Sequence, residues 1–129
     1  MVSIVVPYRN AASTLDECLQ SVLAQSYTDF ELLMINDHSS DESEQIVAQY
    51  REWDRRLKAL TSSQTGLVAA LNFGLQTAKG KFIARMDADD RMHPERLRQQ
   101  VDALETNTSW SLVACQVRLF PEQNIQAGY

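Results

Sequence analysis

Three carboxylates, Asp87, Asp89 and Asp90, fall within four positions of the stretch "RMDADDRMHP" (residues 85–94), directly after an apolar run. Like charges packed this closely disfavour one another's ionisation, so the cluster calls for a helix N-terminus or a bound cation to offset it. Asp87 and Asp89 are separated by one residue, a spacing that turns both side chains to the same side of an extended segment. Hard oxygen donors of this kind suit Mg2+ or Mn2+, with phosphate oxygens and water completing the shell. A divalent ion at this place would let an acidic protein accept a nucleotide diphosphate and would stabilise a departing diphosphate. The same aspartates also precede a helix expected at Pro94, whose positive end would accommodate them. A D-x-D triplet by itself does not choose between the two, and Asp90 is the member most readily read as structural.

Further polar positions sit where apolar runs end. Asp37 follows "FELLMI"; its carboxylate suits a base N–H or a ribose hydroxyl, or else an Asx-turn in which Ser39, Ser40 or Asp41 caps the next helix. Pro7 and Tyr8 follow "VSIVV", where backbone groups and an aromatic face suit a flat base as well as an ordinary strand end. Asn10 either joins them or stabilises the turn. Gly66 and Asn72 flank the start of a helix, and Gly66 permits close approach of backbone to ligand or simply a turn. The Arg85 guanidinium suits a phosphate, or a neighbouring aspartate. His38 and His93 have no metal-ligand spacing with cysteine or with each other, which argues against a zinc site, and both read as loop residues.

The elements that must position these residues alternate. Apolar runs predict strands over 2–6, stopped by Pro7, and over 30–35, 57–60, 81–86 and 111–120. Between them, helical spacing links Leu15, Cys18, Leu19, Val22 and Leu23, with Ser13 and Asp16 as a capping box. A second helix carries Ile46, Val47, Tyr50 and Trp53 on one side. A third carries Leu67, Leu71, Leu75 and Ala78, closed by Lys79 and Gly80 as cationic end and C-cap. A fourth starts at Pro94 with the stripe Leu97, Val101 and Leu104. Such alternation with right-handed crossovers predicts an α/β fold: a doubly wound, mainly parallel sheet with helices on both faces. Ligands then bind beyond the carboxyl ends of the strands, which singles out "PYRN", "NDHSSD", "TSSQTG" and "DADD".

A chain of 129 residues, 44% hydrophobic and 22% charged, corresponds to a single domain over residues 1–129. Its formal charge of -5 with dispersed basic residues argues against a nucleic-acid-binding face. Cys18 and Cys115 lie far apart in apolar patterns, which predicts small buried hydrophobes and no disulfide framework. No stretch approaches the roughly 20 apolar residues of a membrane span, and "MVSIVVPY" lacks a basic leader. The expectation is a cytoplasmic protein, with peripheral contact at the inner face of a membrane left open.

Taken in order, "VSIVVPYRNAASTLDECLQSVLAQSYTDFELLMINDHSSDES" and "TGLVAALNFGLQTAKGKFIARMDADDRMHPERL" resemble the nucleotide-binding half of family 2 glycosyltransferases with the GT-A fold. The resemblance runs from Val2 to about Leu104. It implies a nucleotide-diphospho-sugar donor, a Mn2+ or Mg2+ ion, a saccharide or lipid-linked acceptor, and transfer with inversion at the anomeric carbon. By position it implies that Pro7, Tyr8 and Asp37 contact the base and nucleoside, with Asn10, Arg85 and Ala88 on the same nucleotide-binding side. Asp87 falls near the ribose, Asp89 is the metal ligand touching the diphosphate, and Asp87 shares the metal. Gly66 and Asn72 match the family's "G…N…G" stretch. Two departures stand out: Leu71 occupies a position where many members carry arginine, and His38 one where a small residue is common. The family's catalytic base is a carboxylate of the second half, so the resemblance implies a fragment of a longer enzyme, binding donor without efficient transfer and exposing apolar surface open to self-association. Two alternatives fit less well. A receiver-like signalling module needs an acidic pair after strand one, where this chain has Pro7-Tyr8-Arg9-Asn10, and a nucleotidyltransferase needs a Gly-rich phosphate loop there.

Overall fold

A computed structural model of the chain describes residues 1–120. Its elements run β1 (Val2–Tyr8), α1 (Leu15–Leu23), β2 (Phe30–Asn36), α2 (Ser43–Trp53), β3 (Leu57–Thr61), α3 (Leu67–Thr77), β4 (Phe82–Arg85) and α4 (Arg96–Thr106). The strands form one sheet in the order β3-β2-β1-β4, every pair parallel. Chain order therefore proceeds outward from β1 to β3 and then jumps to the other side of β1, so the strand order reverses between β1 and β4. In open α/β sheets this reversal opens the ligand crevice at the carboxyl ends of the two strands.

Every residue of β1 and β2 is buried, which is why both read as mainly apolar rather than alternating runs, with Ser3, Glu31 and Asn36 the buried polar members. Ile4, Val6, Leu32 and Met34 pack with α1, α2 and α4 on one face. Val5, Leu33 and Ile35 pack with α3 through Ala70 on the other. Each fully buried aliphatic side chain contributes about 1.5–3 kcal/mol to folding.

Pro7 does not stop β1 as expected; the strand runs on through Tyr8, with Pro7 opposite Ile35. The Tyr8 carbonyl accepts the Asp37 N–H on the β2 side, whereas the Val5 carbonyl accepts the Met86 N–H on the β4 side. Position 7 thus faces β4, whose pairing ends at Val5 opposite Arg85, and the missing proline N–H leaves no ladder bond unmade.

The helices hold with local differences. In α1 the buried residues are Leu15, Cys18, Leu19 and Val22, but no side chain caps its N-terminus. The predicted box fails because the cap is Thr14, whose hydroxyl shares its one proton between the Ala11 and Ala88 carbonyls, while the Asp16 carboxylate accepts the Tyr50 hydroxyl at 2.8 Å. In α2, Trp53 leaves the expected stripe, 66% exposed with its ring edge-on to Tyr50. In α3 the buried positions are Ala70 and Gly74, not Leu67 and Leu75, which are each 51% exposed. The cause is close packing: a Cβ at position 74 would lie 2.5 Å from Val5 Cγ1, so small residues face the sheet and leucines flank them. Lys79 and Gly80 do not cap α3 either, since the cap is Ala78; their N–H groups bind Ser3 and Glu31 instead. In α4, Leu97 and Val101 are buried as expected, and the helix begins at Arg96, beyond Pro94.

The fifth strand is a correction. Residues 111–120 form no strand, and Leu112 and Val117 are 83% and 82% exposed. Apolar content favours extended backbone, yet a strand also needs a hydrogen-bonding edge beside it, and this segment pairs with none among the described residues. Cys115 accordingly lies exposed rather than buried, while Cys18 is buried, and both are free thiols.

Candidate functional site

The crevice between the ends of β1 and β4 is built from four loops. On the β4 side, exposure alternates from Ile83 to Asp89, with Ala84, Met86 and Ala88 buried and Arg85, Asp87 and Asp89 exposed. That period of two continues beyond the last paired residue and keeps Asp87 and Asp89 on one side, as their spacing predicts. The chain then turns, the Asp90 N–H donating to the Asp87 carbonyl at 3.2 Å. One carboxylate oxygen from each of Asp87, Asp89 and Asp90 lies within 4.8 Å of the others. Asp90, read as structural from the sequence, therefore joins the cluster; the run of three acids within four positions was its signal.

Burial raises the Asp90 carboxyl above its ordinary value, the Asp89 and Asp87 charges raise it further, and Arg96 opposes them. Arg85 reaches Asp87 at 3.4 Å across a half-exposed contact, so it pairs with the cluster. The donor set fits a hard divalent ion: three carboxylates close enough to share an ion with metal–oxygen bonds of about 2.0–2.6 Å, and a repulsion that a cation would relieve.

Behind the cluster, α1 holds the loop's backbone. Thr14 Oγ1 donates to the Ala88 carbonyl at 3.1 Å, and Cys18 Sγ to the Asp87 carbonyl at 3.8 Å. Burial, and then the charges of Asp90, Asp89 and Asp87, push the Cys18 thiol up to about 12, so it stays protonated as a donor.

On the β1 side, Tyr8 is buried and its hydroxyl is raised well above the usual range by burial and then by Glu44 and Asp41; it is a neutral surface. Asn10 adopts a left-handed backbone, φ 49°. Its Oδ1 accepts the Ser40 N–H at 2.7 Å, and its own N–H donates to Ser39 Oγ at 3.0 Å. It thus clips the loop after β1 to the loop after β2. Asp41 adds to this clip by accepting the Ala12 and Ser43 N–H groups; hydrogen bonding, from Ser43 first, holds its carboxyl below the usual range.

The Asx-type contact predicted for Asp37 belongs to Asn36, whose Oδ1 accepts the Ser39 N–H at 2.9 Å. Asn36 carried no sequence signal apart from its place beside Asp37. Asp37 itself is buried, 6% exposed, and its Oδ1 accepts the Gly66 N–H at 2.9 Å. Gly66 sits at φ 114° and ψ 155°, a region that only glycine occupies readily. His38 takes φ 57°, so the loop after Asp37 turns through a left-handed residue, and Leu71, half-buried on α3, packs against the core beside Ala70.

A cavity of about 330 Å3 is walled by Pro7, Tyr8, Asn10, Thr14, Ala88 and Asp89 among others. A second, about 980 Å3, is walled by Arg85, Asp87, Asp90, Arg91 and Arg96 together with parts of residues 113–120. The acidic cluster stands between them. The fold thus gathers Pro7, Tyr8, Asn10, Ala88 and Asp89 in one place, Arg85 and Asp87 beside it, and Asp37 with Gly66 behind the β1 end. Asn72 lies exposed on α3, and like Asp37 and Gly66 it lines neither cavity.

Comparison with known proteins gives a consistent result. The family model described as "Glycosyl transferase family 2" matches residues 3–125. The putative glycosyltransferase EpsE of Bacillus subtilis (strain 168) is 35% identical over 129 residues, covering 98% of this chain and 46% of its own. The uncharacterized glycosyltransferase EpsJ of the same organism is 31% identical over 115 residues, covering 89% of this chain and 33% of its own. Among solved structures, S. aureus TarS 1-349 in complex with UDP-GlcNAc superposes with a TM-score of 0.77 at 28% identity, over 83% of this chain and 32% of that one. The mannosyltransferase PcManGT from Pyrobaculum calidifontis, in complex with GDP-Man and Mn2+, gives 0.72 at 27% identity, over 80% and 32%. The chain spans between a third and a half of the length of these curated relatives.

Proposed function

This chain belongs to glycosyl transferase family 2 and shares the parallel sheet and flanking helices of its GT-A neighbours, and from that premise we propose that it is the donor-binding part of a metal-dependent, inverting glycosyltransferase. The donor is a nucleotide-diphospho-sugar, and the acceptor a saccharide or lipid-linked hydroxyl. The observation that carries this reading is the convergence of Asp87, Asp89 and Asp90 within 4.8 Å at the sheet's switch point, where Asp89 shares a cavity with Pro7 and Tyr8 at the end of β1. Neighbours solved with UDP-GlcNAc and with GDP-Man and Mn2+ support it.

In this reading Pro7 and Tyr8 offer a neutral face to the base, and Asp37 accepts a hydrogen bond from a base N–H or a ribose hydroxyl. Asn10 shapes that wall, Gly66 orients Asp37, Asn72 completes the sequence pattern on α3, and Ala88 leaves room above the ribose. Asp87 serves the ribose side and, with Asp89, holds Mn2+ or Mg2+. A divalent ion bound there neutralises diphosphate oxygens and so favours departure of the nucleoside diphosphate. Arg85 exchanges Asp87 for a phosphate oxygen. The attacking hydroxyl must lose a proton to a base within hydrogen-bond reach, a role we assign to a carboxylate outside these 129 residues.

Titration calorimetry of UDP and GDP, each with Mn2+, with Mg2+ and in EDTA, tests the proposal. Binding that requires the metal supports it, and equal binding in EDTA counts against the role of the aspartates.

A further inference from the structure

We propose that one polar stripe of α1 and its flanks, Thr14, Cys18, Ser21 and Gln25, positions the acidic loop for its ion. The inference rests on the reading of Asp87 and Asp89 as metal ligands. These residues recur at intervals of four, three and four, which places them along a single line of a helix. Each hydrogen-bonds the backbone of the segment between β4 and α4. At its start, Thr14 and Cys18 take the Ala88 and Asp87 carbonyls. In its middle, the Met92 N–H donates to Ser21 Oγ at 2.9 Å. At its end, Gln25 uses both ends of its amide: Nε2 donates to the His93 carbonyl at 2.8 Å and Oε1 accepts the Leu97 N–H at 3.1 Å.

The segment needs such support. Between β4 and α4 it has no regular structure, so beyond the Met86 N–H on the Val5 carbonyl no ladder or helix fixes its backbone, and three like charges within it push one another apart. Tying the backbone at residues 87, 88, 92, 93 and 97 keeps the carboxylates close without placing any counter-charge on them. The reorganisation is thereby done before the ion arrives, which is how preorganisation strengthens binding. Groups that orient metal ligands from behind typically change metal affinity by about 10- to 100-fold when removed. Gln25 is 3% exposed, so its amide serves the protein interior rather than solvent.

The test uses Ser21→Ala and Thr14→Val in the 129-residue chain. Thr14 makes no capping hydrogen bond to α1, so Thr14→Val removes its hydroxyl contacts with the Ala88 and Ala11 carbonyls and none of the helix's own bonds. Ser21→Thr keeps the hydroxyl, and Gln20→Ala alters the same helix on its Tyr50 side. Mn2+ affinity is measured by calorimetry, and exchange of the Met92 amide is followed without metal. We expect Ser21→Ala and Thr14→Val each to bind Mn2+ about 10-fold more weakly, Ser21→Ala to exchange the Met92 amide faster, and Ser21→Thr and Gln20→Ala to match the wild type. A wild-type chain that binds no Mn2+ would overturn the metal reading itself. Wild-type binding with undiminished affinity in both Ser21→Ala and Thr14→Val would overturn the positioning role alone.

Discussion

The Asp37 carboxylate accepts the Gly66 N–H at 2.9 Å, joining the end of β2 to the start of α3 across 29 positions of chain. The bond fixes a buried carboxylate at the end of β2 while the Asp37 N–H holds the Tyr8 carbonyl. Removing the side chain by Asp37→Ala should weaken nucleoside diphosphate binding by roughly 1.5–3 kcal/mol, the range for hydrogen bonds to charged groups. The remaining binding should still depend on metal. Calorimetry with UDP and GDP checks both parts, and an affinity equal to wild type would remove Asp37 from the nucleoside site.

Asp89→Ala acts on the other half of the site. Losing one of three converging carboxylates should abolish the difference in nucleotide affinity between Mn2+ and EDTA, while weak binding of the metal-free nucleoside persists. Persistence of the full Mn2+ effect would move the ion away from Asp89.

Two glycines should fail for different reasons. At Gly66 an added Cβ meets nothing within 4 Å, but the backbone at φ 114° is strained for any other residue, so Gly66→Ala should cost about 1–3 kcal/mol. At Gly80 a Cβ would lie 2.5 Å from the Ser3 backbone nitrogen, an atom in a central strand that cannot yield. Gly80→Ala should therefore cost about 1–3 kcal/mol or more by overpacking. Urea unfolding of both variants decides, and wild-type stability in Gly80→Ala would contradict the close approach.

A pH dependence follows from Glu31, whose side chain is 6% exposed. Burial alone would raise its carboxyl, but hydrogen bonds from Lys58, from Ser3 and from the Lys79 N–H outweigh it and hold the group below its ordinary 4.5. The folded state thus binds this proton less readily than the unfolded chain. The contribution to stability is complete above the ordinary carboxylate range and is lost as pH falls through the lowered folded value. Unfolding midpoints of the wild type should drop on acidification below about 4.5, and Glu31→Gln should flatten that part of the profile. Parallel profiles for the two proteins would refute the assignment.

Much of this protein is legible in its sequence because strands and helices are announced by local periodicity. Continuous apolar runs at residues 2–6 and 30–35 declare strands buried on both faces, and the alternation with helices dictates a parallel sheet whose ligands lie at the strand ends. Asp87 and Asp89 share a side because extended backbone repeats every two residues, a property of the chain itself. The site's outline was readable for the same reason.

What only the tertiary structure decided depends on distances between segments far apart in the chain. Leu67 and Leu75 promise a core stripe, yet α3 lies so near Val5 that Ala70 and Gly74 take the buried positions. Residues 111–120 have strand composition, but a strand also requires a neighbouring edge, which no local pattern can supply. Thr14 reaches Ala88 across 74 positions and Ser21 receives the Met92 N–H across 71. Spacing announces which side chains share a helix face; the backbone they hold is set by how that helix packs against a distant loop.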